Sequence, residues 1–596
     1  MSLSISLRKQ SNGAAPCFGH ALSAVFASIL TLTSSTLLGV SGDVHAQQNT
    51  VSEATQEALR RQEERSKNQQ AQAKQASDVL RAESDREGDM RLPVESPCFP
   101  LAKIQVGESD EWRWSFLQKT VEPFVGQCAG VQGLRKIAAS LDASLIDAGY
   151  VTTRVGLAKQ NLSEGNLKFS LHVGFVSDIV MSKARSNEVD TDWGTWKNAF
   201  PLRAGKVLNI RDLEQGVEQM KRLPSQSIAT KIEPGTEADT SVVRIEREPA
   251  DLLNRLHGTL SLDNSGSQTL GRAQLSANLS LDNLFGLNDI VSVNSNINAQ
   301  QPSRHHRSYG VTTSYSIPWD YHTFSLSTNA NRFAQYVQGT TARFLSSGKS
   351  NASEAQWSYT ALRSTSSKLG VYASVSQRSA ESFLDDVELV VQRRRTTNLE
   401  WGFNYKKFIE NGSVDLSMGY RRGIAWGKAQ DDYLSAATDG LTIRPRILNW
   451  NGSFNRAFRI GENAITWSSQ LRGQATHDMT LSIDQFSIGG RASVRGFDGD
   501  SVLLAESGGV LRNELSAPFS IVDGWSSNFY VALDYGRVTG ASSAQLPGNV
   551  LVGCALGVRG QWRKFYFDLS LATPVKKPEQ FHTTRVNPYL SLTYSM

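Results

Sequence analysis

Arg272-Ala273-Gln274-Leu275-Ser276-Ala277-Asn278-Leu279-Ser280-Leu281 decides the fold class, because every second residue is apolar and those between are hydrophilic. Successive side chains of a strand point to opposite faces, so the stretch reads as a strand with one greasy and one wet side. Further out, Tyr309, Val311, Thr313 and Tyr315 alternate with Gly310, Thr312, Ser314 and Ser316. Leu399, Trp401, Phe403 and Tyr405 alternate with Glu400, Gly402, Asn404 and Lys406. Phe565, Phe567, Leu569 and Leu571 repeat the pattern, as do Leu590, Leu592, Tyr594 and Met596. From about Gly258 to the end period two persists, leaving about 21 residues per strand and connection if there are roughly sixteen strands. Long polar loops such as Gln474–Ser507 alternate with short turns, as the unequal ends of a membrane barrel require. A soluble sandwich also alternates. An export signal, the length of the segment and a polar face able to line a wet interior favour an all-β transmembrane barrel.

The composition agrees. A mean hydropathy of −0.33 is low for a bundle of membrane helices but acceptable for a barrel, where only alternate strand residues face lipid. A net charge of +5 over 596 residues gives no reason to expect nucleic acid as a partner. Arg8 and Lys9 precede a Ser/Thr-diluted apolar stretch from Ala21 to Val40, and Val44-His45-Ala46 offers a small-residue cleavage site. Residues 1–46 therefore read as a secretory signal peptide, with an uncleaved anchor as the alternative. No later run reaches about 18 apolar residues, so no spanning helix is expected after Gln47. Cys98 and Cys128 bracket one helical segment, and an oxidising compartment would let them pair; two buried thiols are the alternative.

Between signal and barrel lie three segments. Residues 47–95 are rich in Gln, Glu, Arg, Lys and Ala, and Glu53–Ser66 has helix propensity but almost no apolar stripe. Residues 96–176 read as a small α/β unit with strands near Ile104, Val151–Leu157 and Leu167–Val173 and helices over Trp114–Phe124 and Leu134–Asp147. Residues 177–250 read as a second such unit, with a helix over Ile210–Arg222 that Asp212 could help cap. The barrel is assigned to residues 257–596.

On these residues the chain resembles the two-partner secretion transporters, the family of haemolysin secretion/activation and contact-dependent inhibition transporters. Leu141–Arg154 (LDASLIDAGYVTTR) with Gln160-Asn161-Leu162 is similar to the end of that family's first POTRA domain, and Asn209–Arg222 (NIRDLEQGVEQMKR) to the helix of its second. Asp263-Asn264-Ser265-Gly266 and Asp282–Asp289 (DNLFGLND) resemble its first barrel strands and hairpin. The most specific match is Val494-Arg495-Gly496-Phe497, between the eleventh and twelfth expected strands. The resemblance implies that this tetrapeptide tips a loop folded into the barrel (474–507) and that Arg495 pairs with an inward aspartate of Ala532-Leu533-Asp534-Tyr535-Gly536. Ala532 stands where the family commonly has an aromatic residue. The alternation independently places Asp534 opposite Leu533 and Tyr535, on the lumenal face. A guanidinium can hold such a carboxylate through two parallel bonds, which an ammonium cannot. The resemblance also turns 47–95 into an expected plug helix and linker.

The function implied is outer-membrane export of a large partner exoprotein whose N-terminal secretion domain is bound by the POTRA domains. The expected setting is the outer membrane of a Gram-negative bacterium, with POTRA domains in the periplasm, contact with outer-membrane lipid and insertion by the barrel assembly machinery. No cofactor, metal or catalytic constellation is expected. Gly348-Lys349-Ser350 lacks the leading glycine of a phosphate loop, since Arg343 occupies that place, and His305-His306 has no zinc-protease context. An assembly factor for other barrels is the alternative reading.

Overall fold

The computed structural model describes Arg60 and residues 90–107, 112–186, 188–248, 251–338, 343–433, 440–519 and 525–596. The expected signal peptide, and all of the expected plug helix but Arg60, lie outside the described residues.

The first α/β unit carries a sheet in the order Lys103–Val106, Asn166–His172, Arg154–Gly156. Helix Val131–Asp147 covers it because Ile137, Leu141 and Leu145 recur at helical spacing; all three are fully buried against Leu117, Val121, Leu167 and Phe169. Cys98 and Cys128 are joined by a disulfide, Cα to Cα 5.5 Å, which ties the chain entering the unit to the start of that helix.

In the second unit Phe175–Lys183 runs parallel to Thr240–Glu248, a pairing that requires a crossover, and helix Ile210–Lys221 lies on that crossover. The parallel ladder runs from Phe175↔Thr240 to Lys183↔Arg247. Its helix is capped by Asn209, whose side chain accepts the Arg211 N–H at 2.8 Å. Asp212 is not the cap; its carboxylate turns outward to another partner described below.

Sixteen antiparallel strands close the barrel: Leu256–Asp263, Gln274–Asp282, Ile290–Asn298, Arg307–Trp319, His322–Gln338, Arg343–Arg363, Ser367–Leu384, Arg394–Ile409, Gly412–Ile424, Arg446–Ile460, Asn463–Ala475, Ser507–Phe519, Ser526–Thr539, Val550–Trp562, Phe565–Lys576 and Asn587–Ser595. A two-residue piece, Val387–Glu388, adds to the seventh. The sixteenth meets the first over five residue pairs, from Ser591↔Asp263 to Ser595↔Thr259. Gln474 and Ser507 pair within strands, so the loop between the eleventh and twelfth is narrower than 474–507. Gly348-Lys349-Ser350 lies inside the sixth strand and has no phosphate-loop geometry.

The barrel is inside-out relative to a soluble protein. Leu279, Phe324, Trp401, Leu515 and Leu590 are exposed on its outside, while Asn296, Thr312, Asn331 and Ser350 are buried inside it. No helix among the described residues is long and apolar enough to cross a membrane. The strands do so by aiming their apolar side outward at lipid and pairing their backbones around a closed ring.

Candidate functional site

On the thirteenth strand, Leu533 is 54% exposed and its neighbour Asp534 is 0% exposed. The two-residue period alone sends one to lipid and the other into the lumen. There Asp534 meets the loop between the eleventh and twelfth strands. That loop runs inward as a short hairpin, Phe486–Ile488 against Leu503–Ala505. It is anchored by an apolar cluster in which Val494 and Phe497 are fully buried with Ile488, Val510, Val538 and Leu551. Burying side chains of this kind stabilises by about 1.5–3 kcal/mol each.

At the tip Arg495 embraces Asp534. Its Nε donates to Oδ2 at 2.7 Å, Nη2 to Oδ1 at 2.7 Å, and its backbone N–H to Oδ2 at 2.9 Å. Nη1 reaches Glu514 of the twelfth strand at 2.7 Å, and Glu514 also accepts from Arg559 of the fourteenth at 2.5 Å. The alternating charges therefore staple the loop to three wall strands. Each charge compensates the desolvation of the next.

Backbone geometry completes the seat. Gly496 has φ +105°, a region that L side chains rarely adopt. Its N–H donates to the Tyr589 hydroxyl at 3.1 Å, and that hydroxyl donates to the Phe497 carbonyl at 2.7 Å. Asn587 donates to the Gly496 carbonyl at 2.7 Å. A Cβ on Gly553 would fall 1.7 Å from the Arg495 carbonyl oxygen, and one on Gly536 would fall 2.7 Å from Val494 Cγ2. The wall is thus hollowed where the loop lies. Further along, Asp500 accepts from Arg272 at 2.5 Å and from the Gln268 N–H at 2.9 Å, so the loop also touches the connection between the first two strands.

Beside the loop lies a cavity of about 910 Å³. Its wall on the first three strands is hydrophilic, with Thr259, Ser261, Ser276, Asn278, Ser292 and Asn294 between the carboxylates of Asp263 and Asp282 at the strand ends. Arg60 also lines it and donates to Ser487 of the loop at 2.5 Å.

A second polar cluster joins the second α/β unit to the barrel's short turns. Arg363, whose side chain is 1% exposed, donates to Gln215 at 2.9 Å and to Glu218 at 2.7 Å. Lys368 reaches Glu218 at 2.5 Å, Arg203 reaches Asp320 at 3.0 Å, and the Tyr321 hydroxyl donates to Asp212 at 2.5 Å. Burial raises the pKa of Asp212, against the lowering effect of that Tyr321 bond.

The structure thus brings Val494, Arg495, Gly496, Phe497, Asp534 and Gly536 together, with Cys98 and Cys128 paired at a distance from them. Sequence reasoning missed Glu514, Arg559, Asn587 and Tyr589, although strand parity already puts each on the lumenal face. It missed the Glu218–Arg363 contact entirely. Among the described residues no group of three or more His, Cys, Asp or Glu could hold a metal ion.

Comparison with known proteins follows the same division. The haemolysin secretion/activation protein ShlB/FhaC/HecB family matches residues 239–560, a POTRA domain matches 178–234, and a ShlB-type POTRA domain matches 99–174. The chain is 32% identical over 521 residues to the outer membrane transporter CdiB-2 of Burkholderia pseudomallei (strain 1026b), covering 84% of this chain and 87% of that one. It is 26% identical to the hemolysin transporter protein HpmB of Proteus mirabilis over 78% of this chain and 80% of that one. The solved structure of CdiB from Escherichia coli superposes with a TM-score of 0.77 at 26% identity, over 91% of this chain and 99% of that one.

Proposed function

The chain belongs to the haemolysin secretion/activation protein (ShlB/FhaC/HecB) family, and on that premise we propose that Arg495 and Asp534 hold its pore shut until one partner protein arrives. The chain is an outer-membrane translocation pore of two-partner secretion, with its POTRA domains in the periplasm. The partner it exports is an adhesin, haemolysin or contact-dependent toxin. The observation that carries the gating reading is the buried, two-pronged grip of Arg495 on Asp534 inside an otherwise hydrophilic lumen.

Capture falls to the POTRA domains. In the second, Ser227–Pro234 is the outer strand of its sheet, hydrogen-bonded to Thr240–Glu248 on one side. An extended segment of the partner's N-terminal secretion domain adds to such an edge through main-chain bonds, with side-chain pockets supplying selectivity. The loop tip then leaves its seat and the chain passes along the lumen. Insertion of the barrel itself is assigned to the barrel assembly machinery.

The test is export of the partner by cells carrying Arg495→Lys or Asp534→Asn, with insertion checked by heat-modifiable mobility on gels. A normally inserted barrel that admits large antibiotics ordinarily excluded is expected, with export altered because the loop no longer returns to its seat. An outer membrane as tight as with the unaltered protein, together with unchanged export, would refute the gating role. Deletion of residues 96–250 with export intact would refute capture by the POTRA domains.

A further inference from the structure

The outward faces of the barrel strands carry a second pattern, at the end away from the POTRA domains. That end is the cell-surface end, since the short turns at the other end hold the second POTRA domain. Near it an outward cation stands on each of the fourth, fifth, sixth, eighth, ninth and tenth strands (Arg307, Arg332, Lys349, Arg395, Arg422 and Arg446), while the seventh places Glu381 opposite Lys349. Arg332 stands directly opposite Lys349 across one ladder, and Arg422 directly opposite Arg446 across another.

Like charges facing each other across a ladder destabilise a sheet. Charges facing hydrocarbon cost still more, falling to little at the head-group layer. Glu381 takes Lys349 at 2.8 Å and Asp478 takes Arg446 at 2.6 Å, two acids against the six cations named. Around the rest of the circumference the outward positions at that end are small or apolar, such as Gly473, Gly509 and Val552, with Arg537 and Lys576 as cations. Aromatic rings interleave with the cationic arc: Tyr309 is opposite Arg332, and the Arg343 guanidinium stacks 4.8 Å over Tyr336.

We propose that this arc binds the phosphorylated glycolipid of the outer leaflet through its headgroup phosphates. A phosphate between two facing cations turns their repulsion into a chelate. Arginine accepts it with two parallel bonds, and flanking tyrosines suit a sugar-bearing headgroup at the membrane interface. Phosphates on a lipid are delivered at the depth where these cations sit, which free phosphate is not. Strands four to ten thereby gain a fixed lipid collar, separate from the loop and the lumen. The proposal uses the outer-membrane placement but not the gating reading.

The test is native mass spectrometry of the purified full-length protein with bis-phosphorylated lipid A. Parallel arms use the same lipid stripped of phosphate, phosphatidylglycerol, and soluble inorganic pyrophosphate as competitor. Retention of lipid A is expected on the unaltered protein, with binding about tenfold weaker in Arg422→Gln/Arg446→Gln and in Arg332→Gln/Lys349→Gln. Equal binding of dephosphorylated lipid or of phosphatidylglycerol, displacement by pyrophosphate, or undiminished binding in both double variants would overturn the proposal. The lipid arms use the unaltered protein, so they decide the matter if a variant fails to fold. Altered export in Asp534→Asn leaves this result untouched.

Discussion

At Arg495 one guanidinium satisfies two carboxylates, and its replacement separates charge from shape. Asp534→Ala leaves Arg495 with Glu514 alone, and breaking a buried pair in this way costs about 3 kcal/mol or more. Arg495→Lys keeps the charge but cannot make both parallel bonds to Asp534 while reaching Glu514, so a smaller loss is expected. In planar bilayers both substitutions should raise the open probability of the pore, Asp534→Ala more than Arg495→Lys; identical records for all three proteins would count against the grip as a lock. Gly553→Ala tests the seat without touching charge. Its methyl would occupy the place of the Arg495 carbonyl, so the loop must shift and the channel should open as often as in Asp534→Ala. An unchanged closed state would show that the seat is not needed. Asp534 was legible because strand parity and a short motif agreed on one residue. Glu514 and Arg559 have the right parity but no motif, and alternation alone cannot tell a charge that grips a loop from one that faces water.

Elements were legible where they are periodic, and their ends were not. Helix Val131–Asp147 follows from its apolar spacing, whereas Asp212 was misjudged as a cap because Tyr321 lies 109 residues away in sequence. The same distance hid the contact of helix Ile210–Lys221 with the barrel rim. Glu218 on that helix is shared by Arg363 and Lys368, and Arg363 is 1% exposed. Glu218→Gln should leave the buried Arg363 and the half-buried Lys368 short of charge and loosen the domain by about 2–3 kcal/mol. Spin labels on the second POTRA domain and the Ser364–Ser366 turn should then report a broader distance distribution. An unaltered width would mean that Arg203–Asp320 and Tyr321–Asp212 suffice. The disulfide acts on the other domain. Closing a 30-residue separation restrains the unfolded chain by about 3–4 kcal/mol. Reduction should therefore speed amide exchange in helix Val131–Asp147 while sparing helix Ile210–Lys221. Equal acceleration in both would show that the bridge acts beyond its own unit.

For the whole molecule, the wet interior was legible from one decapeptide, Arg272–Leu281, but its asymmetry was not, because parity says which face is inside and not which strands come together there. The third to fifth strands turn Ser292, Asn294, Asn296, Thr312, Asn329 and Asn331 inward, a wall without charge. The twelfth to fifteenth turn Arg512, Glu514, Asp534, Arg559 and Asp568 inward, and these are largely occupied with the loop and one another. A chain passing through must be wetted but not held. Hydroxyls and amides exchange bonds with water at little net cost, about 0.5–1.5 kcal/mol each, whereas a fixed charge retains every opposite charge that passes. The uncharged wall is the side on which an extended polypeptide can slide. Asn294→Asp together with Asn329→Asp should then slow export several-fold, and Gln470→Asp on the far wall should slow it little. Export would be followed by pulse-labelling the partner and timing its arrival at the surface. Equal slowing by both would place the path elsewhere in the lumen; a greater effect from Gln470→Asp would place it along the charged wall, behind the loop that Arg495 holds.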